Sequence, residues 1–460
     1  MSAQSTSRRN FIKGAGLVGA ASLVKGPEAL AAEVAAPSKG AAKNLIFLVA
    51  DGMGTGTLSL AHFWQLRHKS EPLNWSQIFL RPGVFTTLQD TASASSVVTD
   101  SAAAASAWGC GQRVMNRSIN VTPSGESPTP IWVHAKERGK ATGLVSTCRV
   151  THATSAGFAA NVKHRDMEDR IAEQYLERGI DVILGGGSRH FTSDQRDLLP
   201  KYEEAGFALS RDSAGLKKAA GEARMLGLFS ESHVPYAIDR ENDASLASVP
   251  SLEEMFSAAL ESLGGADRGF VLQVESGRVD HAGHGNDPAT ILRELLEFDR
   301  CIRVAEDFIA KNPDTLLILT TDHGTGGCQL NGLGADYGES GPALDRINGF
   351  TRSFEALAEH YQSIGRFDPD HFEEYTGFTA SLEQITFLQN ALEEGVKYYN
   401  SALTKAFADE LFKATAVGWT SSAHTAEFVE LLALGPGAET VPSFIKNYEL
   451  NGILRKALAI

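Results

Sequence analysis

The sequence predicts an α/β fold: a mostly parallel central sheet with helices on both faces. Two observations carry this. Short continuous apolar runs recur along the chain and end at acidic or glycine-rich turns, and amphipathic segments of helical period lie between them. Unbroken hydrophobicity, rather than alternation, belongs to strands buried on both faces. Strand–helix–strand order implies right-handed crossovers, so ligands are expected outside the carboxyl ends of the strands.

Taken in order, the chain opens with Ser7-Arg8-Arg9-Asn10-Phe11-Ile12-Lys13, a mildly apolar stretch from Gly14 to Val24, and the small residues Ala29-Leu30-Ala31. This reads as a twin-arginine export signal over residues 1–31, which places the mature protein, residues 32–460, in the periplasm or outside the cell. The stretch is too short and too rich in Gly and Ala for a membrane span, and it carries no cysteine for a lipid anchor.

The first strand reads as Asn44–Ala50, ending at Asp51-Gly52-Met53-Gly54. Thr142–Thr147 and Asp181–Leu184, the latter before a triple glycine, are further strands. A helix follows over Ser251–Leu263, with Ser251 and Glu254 at capping-box spacing. Gly269–Val274 leads to Glu275, and Asp287-Pro288 opens a helix bearing Ile291, Leu295, Phe298, Ile302, Ala305 and Ile309 on one face. Thr315–Thr321 ends at Asp322-His323, and Phe428–Leu434 is a last candidate among the buried strands. Residues 335–418 differ in texture and predict a helical insertion, including a helix over Leu382–Leu392 with Ser381 and Gln384 as its capping box.

Composition excludes some functions. A formal charge of −14 leaves no basic excess to neutralise a nucleic-acid backbone, so an anionic substrate must be held by local cations. Four cysteines, Cys110, Cys148, Cys301 and Cys328, allow three complete pairings or four free thiols, and their spacing is not that of a zinc ribbon.

The acids at the strand ends, Asp51, Glu275 and Asp322, collect at one edge of the predicted sheet. Asp280 and His284 are four apart, which on a helical turn aligns them as paired metal ligands. Asp322 and His323 are adjacent where the chain leaves the sheet, and His424 precedes a strand. Mixed histidine and carboxylate sets suit zinc; oxygen-only sets suit magnesium. Ser101 precedes Ala102-Ala103-Ala104-Ala105-Ser106-Ala107-Trp108, a strong helix former, so it stands at a helix N-terminus, where free N–H groups favour phosphate. Either Ser101 or Asp100 suits the N-cap.

Together Asp51-Gly52-Met53-Gly54, Thr99-Asp100-Ser101-Ala102, Thr151-His152-Ala153-Thr154, Glu275 through His284, Thr321-Asp322-His323 and His424-Thr425 resemble, in order, the signature segments of the alkaline phosphatase family. The resemblance implies a first zinc on Asp280, His284 and His424, a second on Asp51, Asp322 and His323, and a third cation, magnesium, on Asp51, Thr154 and Glu275. It also implies Ser101 as the nucleophile and Arg165 as the fork that grips two phosphate oxygens. The reaction it implies is hydrolysis of phosphate monoesters through a phosphoserine, with zinc lowering the pKa of the serine and then of water. It further implies a homodimer. His152 and His281 stand where some members carry Asp and Lys, which bears on the third cation; Ser155 and Ala426 replace a proline and a glycine. A phosphodiesterase on the same metal core and an exported zinc- or phosphate-binding protein without turnover are the alternatives.

Overall fold

In a computed structural model of the chain, which describes residues 41–193 and 196–460, a ten-stranded sheet forms the centre. Its strands, numbered along the chain, are β1 (Asn44–Ala50), β2 (Val84–Asp90), β3 (Ala141–Arg149), β4 (Val182–Gly186), β5 (Ala208–Ser210), β6 (Met225–Leu228), β7 (Phe270–Ser276), β8 (Thr315–Thr320), β9 (Val429–Leu434) and β10 (Phe444–Lys446). Their spatial order is β10-β2-β9-β8-β1-β7-β3-β4-β6-β5. All pairings are parallel except the two made by β9, which runs against β8 and β2. The C-terminal candidate among the buried parallel strands is thus the antiparallel one. Residues 1–31, the segment whose sequence reads as an export signal, lie outside the described residues.

The unbroken apolar run of β1 is explained by its position. Ile46, Leu48 and Ala50 enter one buried cluster, and Leu45, Phe47 and Val49 enter a second. Helices Thr55–Lys69, Leu252–Leu263 and Pro288–Lys311 supply the first cluster; Ser101–Cys110, Ile131–Glu137, Ala153–Ala159 and Glu168–Glu177 supply the second. Local chemistry sets these helices. Ser251 and Glu254 complete the expected capping box, and Asp287 caps Pro288–Lys311 by accepting from the Thr290 N–H. Ser381 and Gln384 complete the other box, on helix Leu382–Glu393.

Residues 335–418 hold six α-helices, from Ser340–Arg346 to Ala408–Thr415. Just outside them Gln329–Leu330 pairs antiparallel with Val417–Gly418, so the segment leaves and rejoins the fold at one place. The four cysteines are free thiols.

Candidate active site

Register brings the acids together. Val49 of β1 lies beside Thr320 of β8 and Glu275 of β7, so Asp51, Asp322 and Glu275 meet where these three central strands end. Gly52 makes the close approach feasible: its φ is +75°, and a Cβ there would lie 2.7 Å from the Asp280 Cα. The Gly52 and His323 N–H groups both donate to Asp322 Oδ1, at 3.1 and 3.0 Å.

Asp280 and His284 sit on helix Arg278–His284, and His424 joins them from the short strand His424–Thr425. The His284 and His424 Nε2 atoms are each 3.4 Å from an Asp280 oxygen and 3.0 Å from one another. Both Nδ1 atoms lie against carbonyls, His284 at 2.6 Å from Ser422 O and His424 at 2.8 Å from Thr99 O. A carbonyl can only accept, so each Nδ1 carries the proton and each Nε2 presents a lone pair. Two converging lone pairs beside a carboxylate fit a cation. His323 is wired likewise. Thr325 donates to Asp280 Oδ1 at 2.6 Å and so receives the His323 Nδ1–H at 3.3 Å. That leaves the His323 Nε2 lone pair 3.2 Å from Asp322 and 3.5 Å from Asp51.

Burial sharpens the electrostatics. Asp51, Glu275 and Asp322 are wholly buried, and Asp51 Oδ1, Asp322 Oδ2 and Glu275 Oε1 have no hydrogen-bond donor among the described residues. Burial first, and then the charges of Asp322, Asp280 and Glu275, push the Asp51 carboxyl well above the usual range. Burial pushes Asp322 up to about 7. It also raises Glu275, against donors from Ser146, Thr154 and Ser155. Asp280 shows the reverse: burial works to raise it, but His284, His424 and His323 hold it low. Orphaned carboxylate oxygens packed this closely are what cations satisfy. Asp280–His284–His424 and Asp51–Asp322–His323 each bring their ligand atoms within 4.8 Å, with the mixed donors zinc prefers. Thr154 donates to Asp51 Oδ2 at 3.3 Å, and Ser155 donates to Glu275 Oε2 at 3.3 Å.

Ser101, 1% exposed, begins helix Ser101–Cys110, and its Oγ is 3.4 Å from His323 Nε2. Asp100, not Ser101, is the N-cap, accepting from the Ala103 N–H at 3.0 Å and leaving the Ser101 side chain free for chemistry. Arg165 comes to the same place: its Nη1 donates to Asp100 Oδ2 at 3.0 Å and its Nη2 to His152 Nε2 at 2.9 Å. His152 therefore touches Arg165, and it also forms a close group with Asp51 and Glu275. His281 lies beside the centre rather than in it; Arg278 donates to its Nδ1 at 2.8 Å, and burial together with that arginine lowers its pKa to about 3. The ligand candidates, Ser101, Arg165, His152 and His281 thus fall in or against this one centre.

Sequence reasoning passed over Thr325 as the link between His323 and Asp280, Asp100 as an anchor of Arg165, and the contacts of Cys148 and His233 with the His152–His281 pair. Thr325 left a faint signal: it stands two residues after His323, on the same side of an extended chain.

These features define a hydrolase site of the metal-dependent kind. The family model of alkaline phosphatase matches residues 42–460. Alkaline phosphatase 3 of Bacillus subtilis (strain 168) is 32% identical, covering 94% of this chain and 92% of that protein. The repressible alkaline phosphatase of Saccharomyces cerevisiae is 31% identical over 89% and 79% of the two chains. The crystal structure of Thermus thermophilus alkaline phosphatase superposes with a TM-score of 0.83 at 33% identity, covering 92% of this chain and 93% of that one. The chain belongs to the alkaline phosphatase family, a family of metal-dependent phosphomonoesterases.

Proposed function

We propose that the chain hydrolyses phosphate monoesters through a phosphoserine on Ser101, with zinc on Asp280, His284 and His424, zinc on Asp51, Asp322 and His323, and magnesium on Asp51, Thr154 and Glu275. The observation that carries this reading is the wiring of three imidazoles. His284, His323 and His424 all spend Nδ1–H on an oxygen and turn Nε2 toward carboxylates beneath a serine at a helix N-terminus. When bound, the zinc ions supply Lewis acidity that lowers the pKa of the serine hydroxyl and of water and stabilises the departing alkoxide.

The chain's own residues do the rest. Ser101 Oγ attacks phosphorus and loses its proton; the alcohol departs, and water then cleaves the phosphoserine to release inorganic phosphate and restore the hydroxyl. The Ser101 N–H has no protein partner among the described residues, so it is free to hold an equatorial oxygen. A guanidinium has five N–H donors, and Arg165 commits two of them, leaving three for the phosphate. His323 is not needed as a base: its contact with Ser101 is long, and its Nε2 faces two carboxylates. Glu355 of the helical segment 335–418 grips Arg278, the residue that holds His281; in this reading the segment shapes the entrance to the site or an oligomer contact. Export through the 1–31 segment to the periplasm or beyond, and assembly as a homodimer, complete the proposal.

The test compares p-nitrophenyl phosphate with its bis-ester analogue, with and without chelator, in the native protein and Ser101→Ala. The expected result is monoester turnover that chelator abolishes and that Ser101→Ala lowers by at least about a thousandfold. Undiminished chelator-sensitive turnover in the variant would sink the nucleophile; faster turnover of the bis-ester would favour a phosphodiesterase.

A further inference from the structure

Arg117 holds its backbone in the left-handed region, at φ +72°, where glycine is at ease and a side chain is strained. An arginine stays there only if its surroundings hold it. Its N–H donates to Asp100 Oδ2 at 3.0 Å, the same oxygen that Arg165 Nη1 reaches. Its carbonyl accepts the Arg165 N–H at 2.7 Å. Its guanidinium spans the two chain neighbours of Arg165: Nε donates to His164 Nε2 at 2.8 Å, and Nη2 donates to Asp166 Oδ2 at 3.1 Å. Two residues on, Ile119 and Val162 exchange backbone hydrogen bonds at 3.0 Å, so residues 117–119 run antiparallel to 162–165 as a brace. Arg165 itself stands in the irregular stretch between helices Ala153–Ala159 and Glu168–Glu177, where no helix fixes it.

Stability does not account for these side-chain contacts. The Arg117 and Asp166 side chains are 60% and 67% exposed, and an ion pair so open to water contributes little to a fold. What the contacts change is freedom. Tying His164 and Asp166 to one planar group fixes the chain on either side of Arg165, so the Arg165 fork keeps one orientation before phosphate arrives. Phosphate then binds without having to order that segment itself. We propose that Arg117 is a positioning residue for Arg165, acting through its simultaneous hold on His164 and Asp166, and that it serves phosphate affinity rather than stability. This inference rests on the catalytic reading above.

The experiment measures kcat and KM for p-nitrophenyl phosphate, the inhibition constant of inorganic phosphate, and the melting temperature. It compares the native protein, Arg117→Gly and Arg117→Lys, all loaded with zinc and magnesium. Glycine adopts φ +72° without strain, so Arg117→Gly should melt at or above the native temperature. It should nevertheless raise KM and the phosphate inhibition constant roughly three- to fivefold, with kcat within about twofold of native. Arg117→Lys keeps the charge but has no planar fork to bridge two acceptors, so it should show the same loss of affinity. Native constants in Arg117→Gly overturn the inference. Native constants in Arg117→Lys do so too, because charge alone is then what Arg117 supplies. A fall in kcat that tracks a fall in melting temperature also overturns it, by making the residue structural. A native protein that neither turns over the ester nor binds phosphate overturns the catalytic reading instead.

Discussion

Asp100 shows how one side chain serves fold and site together. Its Oδ1 caps the helix that begins at Ser101, while its Oδ2 accepts from Arg165 Nη1 and from the Arg117 N–H, both at 3.0 Å. Removing it should cost about 1 kcal/mol for the lost cap, and more for the arginine left half-buried without its partner. Asp100→Ala is therefore expected to lower stability by about 1–3 kcal/mol and to weaken phosphate binding as well. Asp212→Ala is the control: Asp212 caps helix Ser213–Ala219 in the same way, through the Gly215 N–H, and no site residue touches it. It should lose about 1 kcal/mol and no affinity. Denaturation and phosphate titration on both variants decide; equal affinity in the two would remove Asp100 from the site. At this scale the sequence shows which residue types meet, because Asp280–His284 spacing and strand-end acids are periodic facts. It does not show which nitrogen of an imidazole faces the centre, since that depends on carbonyls such as Thr99 O, 325 positions from His424.

Two helices, Ser101–Cys110 and Ala153–Ala159, carry Ser101 and Thr154, and their packing sets the distance between them. They meet at glycines. A Cβ on Gly109 would lie 1.9 Å from Gly157 O, and one on Gly157 would lie 2.5 Å from Ala105 Cβ. Helix propensity alone favours Gly157→Ala by about 1 kcal/mol, but overpacking of this kind costs about 1–3 kcal/mol or more, and here the obstacle includes backbone. Packing should win: Gly157→Ala is expected to be less stable and to lose turnover as Ser101 and Thr154 are forced apart. A more stable, fully active variant would show that the helices separate without consequence. The same physics explains which elements were legible. The central strands β1, β7 and β8, buried on both faces, announce themselves as apolar runs. β2 does not: it carries Thr and Gln, and five of its seven residues, Val84, Phe85, Thr86, Leu88 and Asp90, are exposed or half-exposed. β5 and β10 have three residues each, too few for a period to register. β9 reads as buried, but direction leaves no mark on composition, so its antiparallel course came only with the structure.

Across the whole molecule, the response of stability to pH also involves carboxylates buried outside the candidate site. Glu294, on helix Pro288–Lys311, is 1% exposed. One oxygen accepts from the Ala237 N–H at 2.6 Å; the other has no partner among the described residues. Its neighbour Glu297 already holds Arg240. Burial first, and then the Glu297 charge, push Glu294 from 4.5 up to about 7. Between those two values the folded state keeps a proton that the unfolded chain has released, so stability falls as pH rises through this window and levels off above it. The shift corresponds to about 3 kcal/mol. Glu294→Gln removes the charge while keeping an acceptor for Ala237. Any fixed cost of burying the amide is the same at every pH, so the informative quantity is the change in the variant's advantage between pH 5 and pH 8.5. That advantage should grow by about 3 kcal/mol, seen as a rise of a few degrees in the variant's melting temperature relative to native protein. If the difference between the two proteins is the same at both pH values, Glu294 is ionised in the fold throughout, and Arg240 rather than burial governs it.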